Sequence, residues 1–234
     1  MNTQRVPFGR GELFRARLFT SAQAQEISAQ VDTVPAGLRR PEGPPVAGGL
    51  STIGEALYRN RHRMGYYTQC ARADNRRLYR HFSGLYERVA VFFEQRYSAP
   101  VVFAEELAVP GFHVFDYQQR GAYDGGTGHF DTLYLQVPFL AARRTEITGI
   151  VNFTLPVQVP SGGTGMDLWD DGPGIDGQGR GAQTSTPYVP GVLVFSEHEY
   201  WHRIGRSWCL EDGERRITLQ GHGVCFRSRW LLFW

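Results

Sequence analysis

Residues Gly191 to Trp234 read GVLVFSEHEYWHRIGRSWCLEDGERRITLQGHGVCFRSRWLLFW. Three runs within them, GVLVFSE, RRITLQGHGV and CFRSRWLLFW, are rich in β-branched and aromatic residues, and turn-forming Gly and Asp lie between the first and the second. That composition suits strands lying in a half-buried sheet. The same character reaches upstream as far as Pro100, in VVFAEELAV, GFHVFDYQ, HFDTLYLQV and EITGIVNFTLPV. So many short strands without a helical interruption predict a mainly β fold, a sandwich or jelly-roll barrel.

Before Pro100 the pattern predicts helices. TSAQAQEISAQVDTV opens on a possible N-cap, Thr20 or Ser21, and is rich in helix formers. PAGLRRPEGPPVAGG reads as a Pro/Gly loop. From Asp74 onward, Leu78, Phe82, Leu85, Val89 and Phe93 recur at spacings of three and four, which predicts one long amphipathic helix packed on the sheet. The expected organisation is a single domain over residues 1–234. Residues 1–99 supply mostly helical support and a substrate region, and residues 100–234 form the β core. The segment PSGGTGMDLWDDGPGIDGQGRGAQTSTP reads as a long Gly-rich loop, a place for a lid.

The bulk composition narrows the partners. Lys+Arg 25 against Asp+Glu 23 leaves a formal charge of +2, which carries no electrostatic footprint of a nucleic-acid partner. Cys70, Cys209 and Cys225 are odd in number and contain no CxxC pair, against a disulfide framework or a cysteine zinc site. No apolar stretch is long enough for a membrane span, so a cytoplasmic protein is expected. Oligomeric state leaves no mark in the sequence.

The chemistry-bearing residues fall in a definite order. In GGTGHFDTLYLQV, His129 and Asp131 are two apart, so a strand would turn both to one face. His198 and His202 follow in SEHEYWHRI, four apart, and strand parity cannot separate them. Further on, Arg216, Thr218, Gln220 and His222 share a face while Ile217 and Leu219 take the other. Two histidines and one carboxylate are the ligand set of non-haem Fe(II) sites with open positions. A guanidinium fork with a hydroxyl two residues on suits a carboxylate. Read alone, Arg216, Thr218 and Gln220 would pass for the wet face of an antiparallel sheet.

Taken together, His129-Phe130-Asp131, a late histidine and Arg216-Ile217-Thr218 resemble the Fe(II)/2-oxoglutarate-dependent dioxygenases over roughly residues 100–225. That resemblance implies a double-stranded β-helix and a metal triad of His129, Asp131 and His202. His202 is favoured over His198 by the HRI step and by the shorter separation from Arg216. It further implies that Arg216 and Thr218 grip the C5 carboxylate of 2-oxoglutarate, with Tyr134 and Asn152 as further candidates for that co-substrate. The cofactors implied are Fe(II), 2-oxoglutarate and O2. The activity implied is oxidation, most simply hydroxylation, of a small-molecule or amino-acid-like substrate with release of succinate and CO2. Asp131 stands where some halogenating relatives have Ala or Gly, which argues against halogenation.

Softer substrate candidates are His113 and Tyr117, which share a parity on GFHVFDYQ, and His222. Trp169, with Asp167, lies in the Gly-rich segment. Arg59, Arg61 and Arg63 would meet an anionic substrate or simply face solvent. Two other functions fit such a barrel. One is a cupin-type metalloenzyme without 2-oxoglutarate, which has no need of Arg216 and Thr218. The other is a non-enzymatic jelly-roll binding protein, which would bind no iron.

Overall fold

Strand-forming sequence is not confined to the residues after Pro100. The computed structural model describes residues 2–42, 49–173 and 179–234. The chain opens with a hairpin of β1 (Thr3–Phe8) and β2 (Gly11–Arg17), followed by α1 (Ser21–Asp32). Next come β3 (Arg39–Pro41), β4 (Gly49–Ile53), α2 (Met64–His81) and α3 (Ser83–Tyr97). β5 (Val101–Val102), β6 (Gly111–Asp116), β7 (Gly121–Tyr123) and the short α4 (Pro138–Ala141) precede the long β8 (Ile147–Gln158). β9 (Gly165–Pro173), β10 (Gly179–Pro187), β11 (Val192–Ser196) and β12 (Trp201–Ile204) follow. The chain finishes with β13 (Ser207–Cys209), β14 (Arg215–Phe226) and β15 (Arg229–Phe233).

Ten strands make one large sheet, ordered β1-β2-β11-β8-β14-β6-β4-β3, with β15 beside β14 and β5 beside β15. β14 organises it. Arg215–Gln220 pair with β6, His222–Phe226 pair with β15 on the same edge, and the other edge follows β8. A second sheet, β10-β9-β12, has three strands. The fold is therefore mainly β, with large antiparallel sheets and helical support. Among the described residues, no helix is long and apolar enough to cross a membrane.

The helices cover one face of the large sheet. Ile27 and Val31 of α1, Leu78 of α2, and Leu85, Val89 and Phe93 of α3 pack against Phe112, Val114, Leu155, Ile217 and Leu219. Each fully buried Leu or Phe contributes roughly 1.5–3 kcal/mol, so this layer fixes the sheet's position. Thr20 caps α1 in a reciprocal capping box with Gln23, which satisfies backbone donors that would otherwise be orphaned. On the opposite face, Phe8, Leu13 and Val194 meet Leu168 of β9 and Tyr188, closing part of a second layer.

Several sequence expectations need correction. The first hundred residues contribute four strands to the large sheet, not only helices. β2 lies between β1 and β11, and it buries Leu13 toward one layer and Phe14 and Ala16 toward the other. The long helix starts ten residues early and is two helices, α2 and α3. Phe82 adopts a non-helical φ of −122° and drives its ring against Phe112 at 4.8 Å. The stripe read from Leu78 to Phe93 is nevertheless the buried one. Its upstream extension was masked by Asp74, a buried acid that pairs with Arg40 at 2.5 Å.

Of VVFAEELAV only Val101–Val102 is strand. RRITLQGHGV runs on without a break to Phe226, and the chain reverses at Arg227 and Ser228, both at positive φ, before β15. The Gly-rich segment is largely a β9–β10 hairpin, with residues 174–178 outside the described residues. The Pro/Gly loop holds β3, and residues 43–48 of it also lie outside the described residues. HFDTLYLQV is not a strand. It makes one β-bridge and then turns into a 3-10 helix over Leu133–Gln136. The reason is its apolar spacing, since Leu133, Val137 and Leu140 recur at four and three and join one cluster.

Candidate metal centre and its cavity

His129 and His202 are brought together by backbone, not by side chains. His129 N–H donates to the His202 carbonyl at 2.9 Å, and His202 N–H returns the bond at 3.0 Å. This isolated bridge sets the two imidazoles 4.5 Å apart between ring centres. Each ring is oriented in the same way. His129 Nδ1 lies 2.9 Å from the Thr127 carbonyl, and His202 Nδ1 lies 2.9 Å from the Tyr200 carbonyl. A carbonyl only accepts, so both Nδ1 atoms carry a proton, and Nε2 is in each ring the nitrogen left to bind a cation.

Those two Nε2 atoms converge on Asp131. They stand 3.6 Å (His129) and 3.4 Å (His202) from its carboxylate oxygens. The three ligand atoms all lie within 4.8 Å of one another, the arrangement of a cation site. The alternation expected of HxD survives without a strand, since the Phe130 ring turns aside onto Trp201. Burial alone would raise the Asp131 carboxyl, but the facing His202, His222 and His129 outweigh it and hold it below its ordinary range. Asp131 and His202 side chains are 14% and 16% exposed, whereas His129 is 52% exposed and forms the open side.

His198 is exposed and lies outside this cluster, its ring 6.0 Å from Tyr200. The geometry brings His202 to Asp131 instead. His222 stands close by, with Nδ1 3.9 Å from Asp131 and 2.9 Å from the side-chain oxygen of Asn152. Burial pushes the His222 imidazole down against the pull of Asp131.

The triad opens into a cavity of about 650 Å³, whose walls include His113, Asn152, Tyr188, His222 and Trp234. The volume suits a co-substrate together with a small molecule. Beneath the wall lies Arg216. Its side chain is fully buried, and none of its three guanidinium nitrogens makes a hydrogen bond of ordinary geometry. The Phe115 ring lies 4.4 Å and the Tyr188 ring 6.0 Å from the guanidinium carbon. Burial lowers its affinity for the proton, opposed by the Tyr188 and Tyr117 phenols. Thr218 Oγ1, two residues on, is also buried without a partner. Neither residue is itself part of the described cavity wall; Tyr188 is the wall residue lying nearest the guanidinium.

The remaining candidates divide. Asn152, His113 and His222 line the cavity. Tyr117 is buried and donates to Ser207 at 2.7 Å. Tyr134 lies off the cavity wall, in the cluster with Val137 and Leu140, and donates to Glu199 at 2.8 Å. Trp169 and Asp167 belong to β9, where Trp169 lies under Arg203 and Asp167 pairs with Arg203 at 3.0 Å. Arg59 is engaged with Glu42 and Thr52, Arg63 stacks on Tyr66, and Arg61 is exposed at the cavity wall. Tyr58, Glu42, Tyr188 and Trp234 also line the cavity and carry no sequence motif. The carbonyls of Thr127 and Tyr200 could not be read at all, because backbone groups leave no residue signature.

No protein-family model and no curated protein matches this chain. Solved structures do match. An N-substituted L-amino acid dioxygenase from Burkholderia ambifaria AMMD superposes with a TM-score of 0.57 at 13% identity, covering 99% of this chain and 97% of that one. A structure of an N-substituted L-amino acid dioxygenase in complex with α-ketoglutarate, from the same organism, gives 0.55 at 13% identity with the same coverage. HygX from Streptomyces hygroscopicus, with nickel and 2-oxoglutarate bound, is a looser likeness at 0.49 and 10% identity, covering 92% and 82%. At these identities the likeness is one of fold.

Proposed function

We propose that this chain is an Fe(II)- and 2-oxoglutarate-dependent oxygenase acting on a small, amino-acid-like substrate. The observation that carries the proposal is a pairing on one side of the large sheet. Two oriented imidazoles and a carboxylate converge, and a buried guanidinium that has ring faces beside it but no carboxylate partner lies on the cavity-facing side of β14. An unpaired buried charge costs several kcal/mol, so Arg216 makes physical sense as half of an ion pair completed by a ligand. The fold shared with the Burkholderia enzymes supports the same reading. The large sheet and the three-stranded sheet are then the halves of a double-stranded β-helix, within one domain spanning the chain.

The residues fit the groups the reading requires. His129 Nε2, His202 Nε2 and the Asp131 carboxylate would hold the iron. Arg216 and Thr218 would hold the distal carboxylate of 2-oxoglutarate, with Asn152 and His222 beside it, once Tyr188 yields. Bound iron and 2-oxoglutarate supply the oxidising power with O2, giving succinate and CO2. The protein's part is placement. Thr127 and Tyr200 fix the imidazoles, Asp131 would offset one of the two charges of the metal, and the apolar wall of Leu168, Val194 and Phe195 keeps water out. Arg61, exposed at the wall, would meet a substrate carboxylate. Hydroxylation is the simplest outcome.

One observation favours a second reading, a metalloenzyme that does not use 2-oxoglutarate, since Arg216 and Thr218 do not line the cavity. The two separate cleanly. Succinate release is measured with Fe(II), 2-oxoglutarate and a panel of N-substituted L-amino acids. Substrate-stimulated release that is lost in Arg216→Met supports the first reading; metal-dependent activity that survives in Arg216→Met supports the second.

A further inference from the structure

On α2, Arg72, Arg76 and Arg80 recur at every fourth residue and line one wall of a second cavity, of about 760 Å³. This groove shares no wall residue with the metal cavity. Residues four apart stack on one helix face, so the three arginines make a row about 12 Å long. All three are exposed. Among the described residues, Arg76 and Arg80 make no hydrogen bond, ion pair or ring contact. Arg72 meets Glu106 at 3.3 Å, but both side chains are more than half exposed, and such a pair is worth little. Like charges at this spacing repel and weaken the helix that carries them.

The rest of the groove is tied in place and largely apolar. Asn75 donates through Nδ2 to the Leu107 carbonyl at 2.8 Å and accepts from the Val109 N–H at 3.0 Å, which fastens the facing loop to α2. Tyr79 stacks on the buried Tyr86 at 5.6 Å, and Phe103 meets both rings edge to face. Val101, Val102 and Val109 complete the wall, together with the exposed Glu105. A groove formed in advance loses little entropy when it is filled.

We propose that this groove docks an acidic amphipathic helix of a partner protein, whose carboxylates at every fourth position meet Arg72, Arg76 and Arg80 and whose interleaved apolar side chain enters between Tyr79 and the valines. The matching repeat is the reason. A facing helix rises as α2 does, about 6 Å per four residues, so a row of carboxylates meets a row of guanidiniums. A lone small anion would engage one end of the row and leave the rest repelling. A nucleic-acid strand would set its phosphates against Glu105, and one face of Tyr79 is already covered by Tyr86, which leaves no ring pair to clasp a base. The helices of this chain do not supply the complement. α1 carries Glu26 and Asp32, α2 carries Asp74, and α3 carries Glu87 and Glu94, with no two carboxylates four apart on any of them.

The probe is a fluorescein-labelled helical peptide with three Glu spaced four apart and a Leu three residues after the first of them. Its binding to the full chain is followed by fluorescence polarisation. Saturable binding is expected, and Arg76→Ala/Arg80→Ala should weaken it by about tenfold or more, the scale of two ion pairs at a solvent edge, with circular dichroism unchanged. Arg10→Ala/Arg229→Ala removes the same charge from exposed positions elsewhere and should leave binding as it was. A peptide with Gln in place of Glu, and one of the same composition in scrambled order, should each bind about tenfold or more weakly. No binding, equal binding of the Gln or the scrambled peptide, or binding that Arg76→Ala/Arg80→Ala retains overturns the proposal. So does an equal loss in both double variants. Octanoate or oligothymidylate that competes for the groove and binds it more tightly than the peptide would assign it to a different ligand class. A dimer in sedimentation that Arg76→Ala/Arg80→Ala dissolves would assign it to a second copy of this chain, and either result overturns the proposal.

Discussion

The two faces of β14 are buried to the same degree and do opposite things. Ile217 and Leu219 are fully buried in the apolar cluster that the helices complete. Arg216 and Thr218, interleaved with them, are equally buried and have no hydrogen-bond partner. The adjacent Arg215 sharpens the contrast, since it pairs with Asp32 at 2.7 Å and Asp116 at 3.1 Å. One face stabilises the fold, and the other holds polar groups at a cost that the Phe115 and Tyr188 rings offset in part and a ligand would offset further.

The largest effect expected from this division lies at the triad. Asp131→Ala should abolish iron binding and substrate-dependent succinate release while leaving the circular dichroism spectrum intact. If iron still binds stoichiometrically, the cavity face is not a metal face.

Arg216→Met comes next. The affinity for 2-oxoglutarate should fall by roughly 2–5 kcal/mol, the range for losing one partner of a buried charge pair. The stability of the ligand-free protein in urea should hold steady or rise, because an uncompensated charge has gone. A large loss of stability would show that Arg216 belongs to the structural face.

Leu219→Ala should do the reverse. It should destabilise the fold by about 3 kcal/mol through a core cavity, with iron binding per folded molecule unchanged. Denaturant titration and metal analysis of the same sample measure both quantities.

The most gradual effect is on pH. His113 is held near 3 in the folded protein, against about 6.5 when unfolded. A base depressed by folding adds nothing above the unfolded value, and it penalises the folded state as pH drops below it. Stability should therefore decline between about pH 6.5 and 3, by at most about 1.4 kcal/mol per pH unit from this group. His113→Leu should flatten that slope, and an unchanged slope would place the titration elsewhere.

Much of this division was legible in the sequence because β14 is regular. Alternation in RRITLQGHG predicts both faces, and the distal strands GVLVFSE and GFHVFDYQ form as read. The segments that failed were those where one backbone conformation overrides the pattern. HFDTLYLQV alternates on paper, but its Leu133, Val137 and Leu140 spacing belongs to a helical turn. The α2–α3 break rests on the φ and ψ of Phe82, which no periodicity records. At the cavity, residue types with a motif could be found, and Tyr58, Glu42 and Tyr188 could not. Their roles come from strands and turns distant in sequence that meet only in the folded sheet.

The central claim is that the cavity is built for iron and a dicarboxylate. Anaerobic addition of Fe(II) and 2-oxoglutarate to the protein tests it directly by visible absorption. A charge-transfer band is predicted for the wild type and for His198→Ala, and none for His202→Ala or Asp131→Ala. A folded wild-type protein without the band, or a band that survives in His202→Ala and vanishes in His198→Ala, would contradict it.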